Sequence, residues 1–172
     1  MNLEDAVKIS LRLDPRIYAA IQNEAAAQGR EVGEHIQRLV TEHAIAHKLV
    51  DDATSRELEL RENLVLRAVL AARTILKEEG FTPNIPEKTF KRCISDKPWL
   101  SDYETYIGDN AYKRGNARKG SLNKEIGAAI RKGIRGRVAK ASDGKPMKVA
   151  VLDSIIQSYT QLASCEAVRS EQ

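Results

Sequence analysis

Residues 7 to 13, Val-Lys-Ile-Ser-Leu-Arg-Leu, alternate apolar and polar side chains without a break. A period of two belongs to a strand with one buried and one exposed face. Val7, Ile9, Leu11 and Leu13 form the apolar face, and Lys8, Ser10 and Arg12 form the polar one. Asp14-Pro15 then ends the strand and opens a helix, because aspartate accepts from free N–H groups and proline suits the first helical position. A single strand leaves both edges unpaired, so any fold containing this segment has to supply a neighbour. The residues that follow do not read as one.

They read as helix. Ile17, Tyr18, Ile21 and Ala25 recur every three to four residues, and Gly29 supplies a helix end. Val32, Ile36, Leu39, Val40 and then His43 or Ala44 repeat the spacing to about Val50. The unit is therefore strand, helix, short turn, helix, and two helices of this size enclose too small a core for about 40 residues. Pairing with a second copy cures both the open edge and the thin core.

This order resembles the ribbon-helix-helix family of the Arc and methionine repressors, on Lys8 to Pro15 (Lys-Ile-Ser-Leu-Arg-Leu-Asp-Pro), the first helix, the Gln28-Gly29-Arg30 turn and the second helix. The resemblance covers residues 8 to about 47. It implies an obligate dimer whose paired strands enter the DNA major groove. On that pattern Lys8, Ser10 and Arg12 read bases; arginine and lysine donate to guanine O6 and N7, and serine serves several bases. The family also grips a phosphate at the start of its second helix, which here is Arg30, Glu31, Val32 and Gly33. Glu31 stands where the pattern often has serine or threonine and adds negative charge there; Arg30 can compensate.

Beyond residue 50 the chain reads as helical. Thr54-Ser55-Arg56-Glu57 matches a capping box opening a long helix that is apolar on more than one side, through Leu58, Leu60, Leu64, Leu66, Leu70 and Ile75, and closes at Gly80. Such a helix is expected to be buried, for instance against its twin in a dimer. Pro83 and Pro86 mark a linker before a short helix to Cys93. Asp96-Lys97-Pro98 is expected to turn the chain, with Ser101-Asp102-Tyr103-Glu104 capping a brief helix that ends at Gly108. Aromatic residues are only 5% of the chain, so Trp99, Tyr103 and Tyr106 are the expected anchors of a small core. Residues 109 to 120 read as a loop, Ser121 or Leu122 as the start of a helix bearing Ile126, Ile130 and Ile134, and Ser142-Asp143-Gly144 as a turn. A last helix is expected over Val149 to Leu162, with Leu152, Ile155, Ile156, Tyr159 and Leu162 on one face.

The expected fold class is thus mainly α: an N-terminal ribbon-helix-helix, dimeric, followed by a helical C-terminal region. Residues 1–50 form the DNA-binding and dimerisation domain, 51–80 a connecting long helix, and 81–172 a small basic helical domain.

Charge is unevenly spread. The total is +4, yet Ala111 to Lys148 holds twelve lysines and arginines against only Glu125 and Asp143. Phosphates are the natural partner of such clustering, and Lys113, Arg114, Arg118, Lys119, Arg131 and Arg135 are the candidate contacts. The same stretch also fits a solvated basic face, or a phosphate held by the Gly115-to-Ser121 loop at a helix start, although the Walker spacing is absent.

No run of about 18 apolar residues is present to span a bilayer. The start, Met-Asn-Leu-Glu-Asp, is unlike an export signal. Cys93 and Cys165 form no metal or redox spacing. His43 and His47 lie one helical turn apart, but without the glutamate or third ligand of a helical zinc site.

The expectation is therefore a cytoplasmic, nucleoid-associated protein of bacterial, plasmid or phage type, not an enzyme, without cofactor or metal and without membrane contact. Its partners are double-stranded DNA and a second copy of itself, as a homodimer or higher homo-oligomer, and its role is transcriptional repression. The alternative is a plasmid-maintenance or antitoxin protein, or a phage DNA-handling accessory, whose C-terminal region binds a protein partner.

Overall fold

The computed structural model describes residues 7–27, 31–152 and 154–164. Among them are six helices and four short strands: α1 (Pro15–Ala27), α2 (Val32–Ala46), α3 (Asp52–Glu79), α4 (Ile85–Ser95), α5 (Lys97–Ile107), α6 (Ala117–Gly133), β1 (Arg137–Val138), β2 (Lys148–Ala150), β3 (Ser158–Thr160) and β4 (Leu162–Ala163). The chain is mainly helical. It divides into two compact units, Met1–Glu59 and Leu60–Gln172, with the division falling inside α3.

In the first unit α1 packs against α2. Asp14 starts α1: its Oδ1 accepts from the Arg16 amide at 2.8 Å, and its Oδ2 accepts from the Arg16 guanidinium at 3.0 Å. Of the described residues in this unit only Ala25 and His35 are buried. Residues 7–14, expected as a strand, belong to no ladder within the single chain. Both helices next to it have their backbone groups committed to their own turns and offer no edge for it to pair with. Its apolar side chains stay in solvent, with Val7 87% and Ile9 68% exposed.

The second unit is built on the C-terminal part of α3, whose Leu64, Ala68, Ala72 and Ile75 are buried at helical spacing. Leu66 and Leu70, on the helix's other side, remain half exposed in the chain. The helix begins at Asp52, two residues before the expected capping box, because Asp51 takes the capping role: its carboxylate accepts from the Thr54 amide at 2.8 Å and from the Thr54 hydroxyl at 2.9 Å.

α5 likewise begins at Lys97 and not Ser101, since Pro98 sits in its first turn, where a missing N–H costs nothing. Trp99 and Tyr103 stack 5.0 Å apart in the core, and Cys93 packs there as a neutral thiol, burial pushing it up to about 12. α6 starts at Ala117, four residues earlier than expected, because Asn116 caps it by accepting from the Lys119 amide at 2.9 Å.

The largest departure is at the end, where the described residues of the expected helix over Val149 to Leu162 are not helical and include two short strands and the start of a third. β2 pairs antiparallel with β3 (Lys148 opposite Thr160, Ala150 opposite Ser158), and β1 pairs with β4 (Arg137 opposite Ala163, Val138 opposite Leu162). Ile155, Ile156, Tyr159 and Leu162 are buried as expected, but Leu152 is 83% exposed. The sequence there is rich in β-branched residues, and Val149 and Val151 alternate about Ala150, which suits a pleat better than a helix.

One close approach fixes how α6 leaves the core. A Cβ added at Gly133 would lie 2.5 Å from Cγ1 of Val69, and the Gly133 carbonyl accepts from Arg73 Nε at 3.0 Å. Valine is stiff at χ1 and has no long stem to swing away. We therefore expect Gly133→Ala to destabilise the protein by about 1 to 3 kcal/mol through overpacking, read as a lower urea midpoint. The double variant Gly133→Ala/Val69→Ala should recover part of that loss.

Candidate nucleic-acid interface

Two sets of candidate residues lie in different units. In the first unit Lys8, Ser10 and Arg12 are all exposed on the segment before α1. Their apolar alternates Leu11 and Leu13, with Pro15, Tyr18 and Ile36, line a shallow groove.

Arg30 lies outside the described residues. Val32, half-buried, and Gly33, exposed, open α2, whose N-cap Glu31 is extended (φ −73°, ψ 148°) and makes no side-chain capping bond. Glu34 adds a second carboxylate in that first turn. Acidic groups there stabilise the helix through its dipole, and they compete with any phosphate for the same N–H groups. The buried His35 imidazole places Nε2 3.4 Å from a Glu24 carboxylate oxygen. The exposed rings of His43 and His47 lie 4.2 Å apart, and no group of three potential metal-ligating side chains occurs among the described residues.

In the second unit the basic residues surround α6. The loop entering it, residues 108–116, is held from inside by Lys119, which is only 7% exposed. Its ammonium donates to the carbonyls of Ala111 at 2.6 Å and Lys113 at 2.9 Å. Burial lowers the Lys119 pKa, the nearby Arg114 charge lowers it further, and Asp109 opposes both. Lys119, expected as a phosphate contact, is thus occupied as a clamp: its donors face the backbone, and a ligand cannot reach them without dismantling the loop.

The clamp presents the loop's other cations. Lys113 is exposed and paired with Asp109 at 3.0 Å. Arg114 is exposed, and the exposed Arg118 sets its guanidinium 4.8 Å over the Tyr106 ring, a cation–π arrangement that holds the side chain at the surface. Arg131 lies in the last turn of α6, and Arg135 just past it, in a left-handed backbone conformation (φ 53°). Arg118 and Arg131 are therefore about 20 Å apart along the helix and about 140° apart around it, and they do not form one pocket.

Among the described residues Arg114, Lys124, Arg131, Arg135, Lys140 and Lys148 have no ion-pair partner. Chemically these cations offer hydrogen-bond donors and positive potential, which suit phosphate oxygens. Sequence reasoning put Lys119 among the phosphate contacts and missed its burial, since nothing in its neighbourhood distinguishes a buried ammonium from an exposed one.

No protein-family model matches the chain, and comparison with curated proteins and with solved structures returns no match. No helix among the described residues is long and apolar enough to cross a membrane.

If Lys119 is a clamp, removing its charge while keeping its stem should free the loop. Lys119→Met leaves the buried Ala111 carbonyl and the partly buried Lys113 carbonyl without their donor, and a loss of about 1 to 3 kcal/mol is expected. Hydrogen exchange should quicken locally at residues 111 to 114, an effect that an exposed phosphate-binding lysine would not produce.

Proposed function

We propose that the protein is a sequence-specific DNA-binding protein that acts as a homodimer, most simply a transcriptional repressor, through a ribbon formed by residues 7–13 of two copies. The observation that carries this reading is the state of the first unit: an alternating segment with its apolar face exposed, beside two helices that bury only Ala25 and His35 among the described residues. Such a unit gains its core by association. A second copy supplies the missing strand edge and covers Val7, Ile9, Leu11 and Leu13 in one step.

With the apolar faces turned inward, Lys8, Ser10 and Arg12 of both copies face outward as one two-fold array. That array has the chemistry to read base edges in a major groove. Lys113, Arg114, Arg118, Arg131 and Arg135 supply phosphate contacts, with Arg30, Val32 and Gly33 at the start of α2 as a further backbone contact. The reading requires no cofactor and no catalytic group, and it places the protein at the nucleoid.

Two measurements test it. Sedimentation equilibrium of the full chain should give a dimer, and Leu11→Asp/Leu13→Asp should give a monomer by charging the proposed interface. Enrichment from a pool of randomised duplexes should yield a consensus with the wild type; Arg12→Ala should weaken binding to it by about 1 to 3 kcal/mol and relax its sequence. Arg118→Ala should weaken all duplexes alike and lower the salt slope by about one. A monomeric wild type, or an Arg12→Ala protein of unchanged selectivity, rules out the ribbon.

A further inference from the structure

The hairpin between β1 and β2 has no counterpart in the sequence reading, which leaves residues 139 to 147 without an element apart from the Ser142-Asp143-Gly144 turn. Three backbone hydrogen bonds close on one another at its base: Ala139 N–H donates to Gln161 O at 2.9 Å, Met147 N–H to Ala139 O at 2.8 Å, and Gln161 N–H to Met147 O at 2.8 Å. The segment 158–163, whose Tyr159 and Leu162 belong to the core, is thus tied to both hairpin arms.

Beyond that ring the hairpin continues through the Lys140–Pro146 bridge and the Ala141 N–H to Lys145 O bond at 2.9 Å, and it turns at Gly144 (φ 79°). Asp143 sets the turn by accepting from the Lys145 amide at 3.0 Å. Every residue from Lys140 to Lys148 is exposed. The result is a finger with a fixed base and a solvated tip.

Its charge is one-sided. Asp143, the finger's one carboxylate, is paired with Lys145 at 3.1 Å, and Lys140 and Lys148 have no ion-pair partner among the described residues. Lys140 stands opposite Pro146, and the two-residue strand period puts Lys148 on the same face as both. Lys124 and Arg131 extend the unpaired charge along the outer side of α6, whose opposite side buries Leu122, Ile126 and Ile130. A rigid, exposed, two-stranded element with clustered unpaired ammonium groups is complementary to a regular polyanion, and a two-stranded ribbon fits a duplex groove.

We propose that this hairpin is a second DNA-contacting element, which lies along the phosphate backbone of duplex DNA through Lys140 and Lys148. The inference rests on duplex DNA being the ligand, as proposed above, but not on the N-terminal ribbon. An acidic protein surface would also attract these lysines, yet it would not give the salt dependence of counterion release.

The test uses the full chain and a fluorescein-labelled duplex of random sequence, with anisotropy titrations between 50 and 200 mM salt. Lys140→Gln/Lys148→Gln should lower the slope of log K against log salt by about two, at roughly 0.9 per phosphate contact. Its thermal midpoint should stay that of the wild type, since both side chains are exposed. Ser142→Lys, a cation added at the tip, should raise the slope by about one and tighten binding. Unchanged slopes in both variants overturn the hairpin proposal. If the hairpin slopes move as expected while Lys8→Ala/Arg12→Ala leaves duplex selectivity intact, the hairpin stands and the ribbon falls. A wild type that binds no duplex at 50 mM salt overturns both.

Discussion

The second unit depends on the stacked pair Trp99 and Tyr103. Both rings are fully enclosed, their planes are inclined by 22°, and each carries its polar tip to a different helix. Trp99 Nε1 donates to the Leu64 carbonyl of α3 at 3.2 Å, and the Tyr103 hydroxyl donates to Asn123 Oδ1 of α6 at 2.7 Å. Burial pushes the Tyr103 phenol well above its ordinary range, with the Asn123 bond opposing, so it remains a neutral donor. Truncating such a ring to alanine costs about 3 to 5 kcal/mol, and here two rings also satisfy their own buried polar atoms. Arg67 adds a tie at the periphery, with its guanidinium at 2.8 Å from both Asp96 and Asp102. In a chain with so few aromatics, this pair sets where α3, α5 and α6 meet, and hence where α6 presents its cations.

Among its described residues the first unit has no such centre. One of its two buried side chains is a histidine, and its apolar residues are spread over a surface instead of gathered in an interior. So little burial among the described residues is a small return for the entropy of ordering about 40 of them. The two units therefore differ in kind: the second closes on itself through its aromatics, and the first leaves Val7, Ile9, Leu11 and Leu13 exposed.

The helices were legible because their apolar period is long enough to average over exceptions. α1 to α4 and α6 all fall where the spacing puts them, with starts displaced by a few residues wherever an Asp, Asn or Pro caps earlier than the capping box suggests. The end of the chain was not legible in that way. Leu152, Ile155, Ile156, Tyr159 and Leu162 fit a helical face by spacing, yet short apolar runs do not distinguish helix from strand. The better signals were the Asp143-Gly144 turn dipeptide and the Val149-Ala150-Val151 alternation after it. For the candidate interface, the exposed cations could be read from composition, but the burial of Lys119 could not. It arises because the loop at 108–116 folds back over the start of α6, a relation between segments that no local pattern encodes. The alternating segment is the opposite case: its pattern is plain, yet residues 7–14 join no ladder within the chain.

Charge and shape then divide the work on the proposed reading. The base-reading set, Lys8, Ser10 and Arg12, is small, and three residues from each of two copies discriminate bases without supplying much of the total attraction. The unpaired cations around α6 and the hairpin add affinity that does not depend on sequence, through counterion release. Placing them in a unit with its own closed core means that this attraction does not depend on the first unit's association. A protein so arranged stays on DNA while its selective surface samples sites, and its selectivity should be set by dimer formation more than by total charge. The buried ammonium of Lys119 belongs to the same economy of design. It spends one cation of the cluster to fix the loop, so that Arg114 and Arg118 act from a settled backbone and lose less entropy on contact.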